Sequence, residues 1–178
     1  MEIDGKAEII DGGIFVMSPA SAWHTLVATK LGRYLDEYAS EVGRGVAVGD
    51  NATFRCDFPH RQSLSPDAAY YLGPPAKHRP FPTAPIFAVE IRSDDDYGPR
   101  AEQRMAEKRQ DYFKAGTLVV WDIDLHSHEV VRVYRSDMAN QPTIYRDTDV
   151  AEAEPAVPGW SIAVRKLLPS DWEFDALI

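Results

Sequence analysis

The sequence predicts an α/β fold: a mixed central sheet flanked by helices, entered through an N-terminal β-hairpin. Three observations carry this expectation. A long segment with helical apolar spacing precedes several short strand-like runs. A second helical segment follows them. Two further alternating runs, "LVVWDID" and "EVVRVYR", come after that helix. Strands interrupted by helices of this length place helices against a sheet.

The first element is the hairpin "AEIIDGGIFVM", two apolar runs joined by Asp11-Gly12-Gly13, residues that tolerate positive φ. A long helix follows, with Ser21 as its N-cap and Gly43 and Gly45 at its end. Trp23, Val27, Leu31, Tyr34, Leu35 and Tyr38 form its apolar stripe. Short strands are expected over 46–48, 52–55, 67–72 and 86–92, with the proline-rich loop "GPPAKHRPFPTAP" at the surface between the last two. The second helix runs over 99–115 and stops at Gly116. A short "LHSH" turn joins the next two strands, and "PTIYRD" and "VPGWSIAVRKLL" read as further β and edge material.

At 178 residues and 44% hydrophobic content, the chain is expected to be a single domain, 1–178, with a real core. The one cysteine, Cys56, excludes an intrachain disulfide framework and a cysteine-based zinc site, which favours a cytoplasmic setting. No apolar run approaches the roughly 18 residues of a membrane span, so no membrane partner is expected. The net charge of −9 argues against wholesale attraction to nucleic acid and leaves room for a local basic groove. Arg100, Arg104, Arg109 and Lys114 on the second helix, and Lys77 and Arg79 in the loop, are candidates for backbone contacts, or else a solvated face.

Two carboxylates stand where apolar residues are expected. Asp67 opens "SPDAAYYL", and Glu90 sits within "IFAVEIRS". A carboxylate inside a strand-like run is costly unless it is paired or binds a cation. On the second strand Ile86, Ala88, Glu90 and Arg92 share one face, so Glu90 is either one half of a charged pair with Arg92 on a half-exposed strand or part of a site. On the second helix Ala101, Met105, Lys108 and Tyr112 share the apolar face, and Lys108 interrupts it. Either its stem snorkels to solvent or its ammonium points inward to a carboxylate or a phosphate. Two carboxylates with a lysine are what metal-assisted phosphodiester hydrolysis needs: hard oxygen ligands for Mg²⁺ or Mn²⁺, and a cation for the developing charge. His24, at the start of the first helix, is a further candidate. His60, His78, His126 and His128 fall in loops and suggest no zinc site.

"SPD", "AVEIRS", "KRQDYFKAG" and "VVWDID", with the opening "IIDGGIFVMSP", His24 and the closing "VPGWSIAVRKL", resemble the Uma-two family of small proteins described as endonucleases. The resemblance covers most of the chain. It implies a restriction-endonuclease-like core and a variant PD-(D/E)xK site with Pro66-Asp67, Glu90 and Lys108, the lysine lying on the helix four residues before Tyr112. It further implies Asp67 and Glu90 as metal ligands, catalytic roles for Asp67, Glu90, Lys108 and His24, Mg²⁺ or Mn²⁺ with no small-molecule cofactor, DNA as substrate, and a homodimer. The sequence also departs from the family. Arg92 replaces an apolar residue, Gly13 takes a position often held by glutamate, and Asp94, Asp95 and Asp96 place negative charge near the site. The alternative is a catalytically inactive nucleic-acid-binding or protein-interaction domain of the same fold.

Overall fold

The computed structural model describes residues 7–16, 20–74, 77 and 79–172. His78 and the Met17-Ser18-Pro19 part of the family-like opening lie outside them. The hairpin is β1 (Ala7–Ile10) and β2 (Gly13–Val16), in register from Ala7↔Val16 to Ile10↔Gly13. Its turn has Asp11 at φ 49 and Gly12 at φ 75, the pair of positive values a tight two-residue hairpin turn requires. Helix α1 (Ala22–Val42) starts where the Ser21 hydroxyl accepts the His24 N–H at 3.3 Å, and it ends at Gly43 in the left-handed region. Its buried stripe is His24, Val27, Ala28, Leu31, Leu35 and Ala39, while Trp23, Tyr34 and Tyr38 are partly buried at its margin.

The strands β3 (Val46–Val48), β6 (Ala68–Tyr71), β7 (Phe87–Ile91), β8 (Val119–Ile123), β9 (Val131–Arg135) and β10 (Thr143–Tyr145) make one sheet in the order β10-β9-β8-β7-β6-β3. Only β7 and β8 run parallel, and the connection between them carries α2 (Pro99–Lys114), since parallel neighbours need a crossover. Both faces are covered. On one, Phe87, Val89, Ile91 and Trp121 pack with Val27, Leu31 and Leu35 of α1. On the other, Ala69, Tyr71, Ala88 and Val120 pack with Tyr112 of α2. Burial on both sides explains why β7 and β8 read as nearly continuous apolar runs. The chain closes with β11 (Val150–Glu152), β12 (Ser161–Ala163) and α3 (Val164–Leu167). Among the described residues no helix is long and apolar enough to cross a membrane.

A second sheet corrects the sequence reading. The strand expected over 52–55 is β4 (Phe54–Phe58), and a strand not foreseen, β5 (Arg61–Leu64), pairs with it. Together with the hairpin they form β2-β1-β5-β4. The run Arg-Gln-Ser-Leu lacks apolar alternation because Arg61 and Ser63 turn inward to polar partners rather than to solvent. This small sheet brings Glu8 of β1 within reach of Lys108 on α2, which matters for the site.

Candidate active site

Asp67 lies just ahead of β6 and is clamped to β7 on either side of Glu90. Its N–H donates to the Val89 carbonyl at 2.9 Å, and its Oδ2 accepts the Ile91 N–H at 2.7 Å. His24, in the first turn of α1, brings Nε2 to 3.1 Å from the same Oδ2, and both side chains are largely buried. The burial of His24 thus follows from the cap at Ser21, which starts the helix so that its first turn faces the end of β6.

Helix α2 supplies the rest. Lys108 and Tyr112 are one turn apart and project from the same face. The Lys108 ammonium donates to Glu90 Oε2 at 2.9 Å, and the Tyr112 hydroxyl donates to Glu90 Oε1 at 2.6 Å. The lysine therefore points inward and does not snorkel. Its second partner is Glu8, in the middle of β1, whose Oε1 lies 2.7 Å from Nζ. Glu8 is in turn held from behind by Arg61 Nη1 at 2.6 Å and by the Ser65 N–H at 3.0 Å. Arg61 also donates through Nε to Asp111 Oδ2 at 2.8 Å, and His60 Nε2 meets Asp111 Oδ1 at 2.8 Å.

The electrostatics follow from these contacts. Burial works against the charge on Lys108, but Glu8 and Glu90 outweigh it and hold its pKa above the ordinary lysine value. Burial likewise opposes the Glu8 carboxylate, yet Lys108, Arg61 and the Ser65 amide hold its pKa below the ordinary value. Burial and the negative charges of Glu90, Glu8 and Asp67 push the Tyr112 phenol well up. At neutral pH the site is thus an ammonium, a neutral phenol and a charged Glu8.

Glu8 is the residue that sequence reasoning missed. Its signal was the one that exposed Asp67 and Glu90, a carboxylate in an apolar run. Arg92 corrects a second expectation. It is a structural fork, donating to Asp122 Oδ1 and Oδ2 at 2.8 Å each and to Glu102 at 2.5 and 3.3 Å. The acidic run is also spent locally: Asp96 accepts from the Ser93 N–H and hydroxyl, both at 2.8 Å, and the Asp94 side chain is 96% exposed. Arg109 is no candidate for backbone contacts, since it stacks on Tyr134 at 3.9 Å and lies 3.8 Å from Asp122. Arg100, Arg104, Lys114, Lys77 and Arg79 are exposed.

Among the described residues no three of His, Cys, Asp and Glu are gathered as a ready-made metal cage. That does not conflict with Mg²⁺, which keeps several waters and takes one or two carboxylates plus substrate oxygens. The partly open carboxylate of Glu90, with Asp67 fastened beside it, offers the hard oxygen donors such an ion takes.

The fold is a mixed sheet flanked by helices, with Asp67, Glu90 and Lys108 brought together beside its central strands. The chain belongs to the Uma2 family, described as "Putative restriction endonuclease", whose sequence pattern matches residues 1–165. Among solved structures it is similar to a putative nuclease belonging to DUF820 from Anabaena variabilis ATCC 29413. The TM-score is 0.71 at 18% identity, over 90% of this chain and 88% of that one. No curated protein matches the chain.

Proposed function

We propose that this chain is a Mg²⁺- or Mn²⁺-dependent endonuclease that hydrolyses phosphodiester bonds in DNA at a variant PD-(D/E)xK site. Asp67 and Glu90 would hold the cation. The observation that carries this reading is the Lys108–Glu90 contact at 2.9 Å, with Asp67 fastened to the residues on either side of Glu90. Bound there, the metal would supply a Lewis acid that acidifies water and stabilises charge on the phosphate.

The chain's own groups supply the rest. Lys108 stays protonated, so it serves as a fixed positive charge and donor for phosphate or attacking water, not as a proton acceptor. Tyr112 fixes the rotamer of Glu90 through Oε1. His24 braces Asp67 from the helix side. Two copies of the chain would give a duplex one site per strand.

The test is nicking of supercoiled plasmid with Mg²⁺ by the parent, Asp67→Asn, Glu90→Gln and Lys108→Met, each shown folded by circular dichroism. Expected is cleavage by the parent that EDTA stops and that each substitution lowers at least about a hundredfold. A folded parent that cleaves neither DNA nor RNA at millimolar Mg²⁺ or Mn²⁺ would leave the inactive binding domain of the same fold as the better account.

A further inference from the structure

On the reading that Glu90 and Asp67 hold the cation, we propose that Glu8 is a positioning residue: it takes full charge of Lys108 when a cation claims Glu90. The geometry raises a problem that Glu8 solves. Both oxygens of Glu90 are engaged, Oε1 by Tyr112 and Oε2 by Lys108. Each oxygen can still take a second partner, but a dication on Glu90 would stand beside the Lys108 ammonium, and the two positive charges repel, so the lysine must draw away from Oε2. Were Lys108 to leave with no other carboxylate, a largely buried ammonium would be stranded, which is costly.

Glu8 removes that cost. It lies 2.7 Å from Nζ, no farther than Glu90, so the ammonium is already shared between the two carboxylates. Its position does not depend on the lysine, because Arg61 fastens Oε2 and the Ser65 amide fastens Oε1. The two carboxylates also differ in access. The Glu8 side chain is 2% exposed and that of Glu90 is 24% exposed. The ammonium thus bridges a sealed carboxylate and an open one, and only the open one can meet a hydrated ion. Tyr112 keeps Glu90 aimed while Oε2 changes partners.

The experiment measures Mn²⁺ affinity by calorimetry without nucleic acid, in the parent, Glu8→Gln, Lys108→Met and the double variant. Glu8→Gln leaves Lys108 to Glu90 alone, so Mn²⁺ must displace a stronger pair, and binding should weaken about tenfold. In the Lys108→Met background nothing remains to be shared, and Glu8→Gln should change affinity by less than about twofold. An equal loss in both backgrounds would show that Glu8 acts only as a nearby negative charge and would overturn the proposal, as would no loss in either. Should Glu8→Gln fail to fold, Glu8→Asp keeps the charge on Arg61 but shortens the reach to Lys108, and the same pattern is expected. A parent that binds no Mn²⁺ at all refutes the metal reading itself. Sharing is still read without metal: the coupling between Lys108→Met and Glu90→Gln in thermal stability should grow when residue 8 is Gln, and an unchanged coupling overturns it.

Discussion

Tyr112→Phe removes a single hydroxyl from the best-buried aromatic of the site. The Tyr112 side chain is fully buried, and its hydroxyl makes a 2.6 Å hydrogen bond to Glu90 Oε1. A hydrogen bond to a charged group contributes about 1.5–3 kcal/mol. Here the lower half of that range applies, since Glu90 keeps Lys108 on Oε2 and is partly open to water. Phenylalanine fills the same volume, so no cavity penalty is added. The expected loss is therefore about 1.5–2 kcal/mol. For a chain of 178 residues, the unfolding entropy near the midpoint is about 0.37 kcal/mol/K, so Tm falls by about 4–5 °C. Melting followed by circular dichroism in metal-free buffer reads this directly. With Glu90 free to change rotamer, Mg²⁺-dependent nicking should fall more steeply than stability, at least about tenfold with the protein still folded. A variant whose Tm stays within about 1 °C of the parent and that nicks at the parent rate would refute the idea that this hydroxyl holds Glu90.

Three further outcomes are expected. Arg92→Lys loses the two-pronged bond to the buried Asp122, which lysine does not reproduce, and should cost about 2 kcal/mol in urea unfolding while the nicking rate per folded molecule stays within about twofold; lost activity with unchanged stability would instead put Arg92 in the chemistry. Burial pushes the Cys56 thiol up to about 11, so a thiol reagent at pH 8 should label the native protein far more slowly than the protein in guanidinium, and equal rates would contradict the packing around it. Glu8 has its folded pKa below the ordinary carboxyl value, so the stability it contributes is complete above the unfolded value and is lost as pH falls through the folded one. Between pH 7 and pH 4 the parent should therefore lose more unfolding free energy than Glu8→Gln, and equal losses would refute the buried ion pairing.

Much of this architecture was legible because local chemistry and global packing agree. Asp-Gly at the hairpin, Ser21 and Gly43 at the ends of α1, and the apolar runs of β7 and β8 each name their element and face. The site was legible for the opposite reason. Asp67, Glu90 and Lys108 violate the patterns around them, and the structure joins Lys108 to Glu90 and fastens Asp67 beside it. Two features escaped. β5 is polar because its inward residues Arg61 and Ser63 serve a buried ion network, and no periodicity of apolar residues announces that. Glu8 was hidden by distance: it reaches Lys108 only because the β2-β1-β5-β4 sheet brings it within reach of α2, a pairing between residues far apart in the chain. Arg92 was misjudged because alternation gives the face of a side chain and not its partner. It shares a face with Glu90, while the parallel register Glu90↔Asp122 offers it a better-placed carboxylate one strand over.

The most direct test of the central claim is a crystal of the protein soaked in millimolar Mn²⁺ and measured for anomalous scattering. The expected result is a single strong peak with Asp67 and Glu90 oxygens about 2.1–2.2 Å from it, and with Lys108 withdrawn from Glu90 Oε2 onto Glu8. No peak at that position, with Lys108 and Tyr112 still closed on Glu90, would contradict the metal site and with it the proposed chemistry.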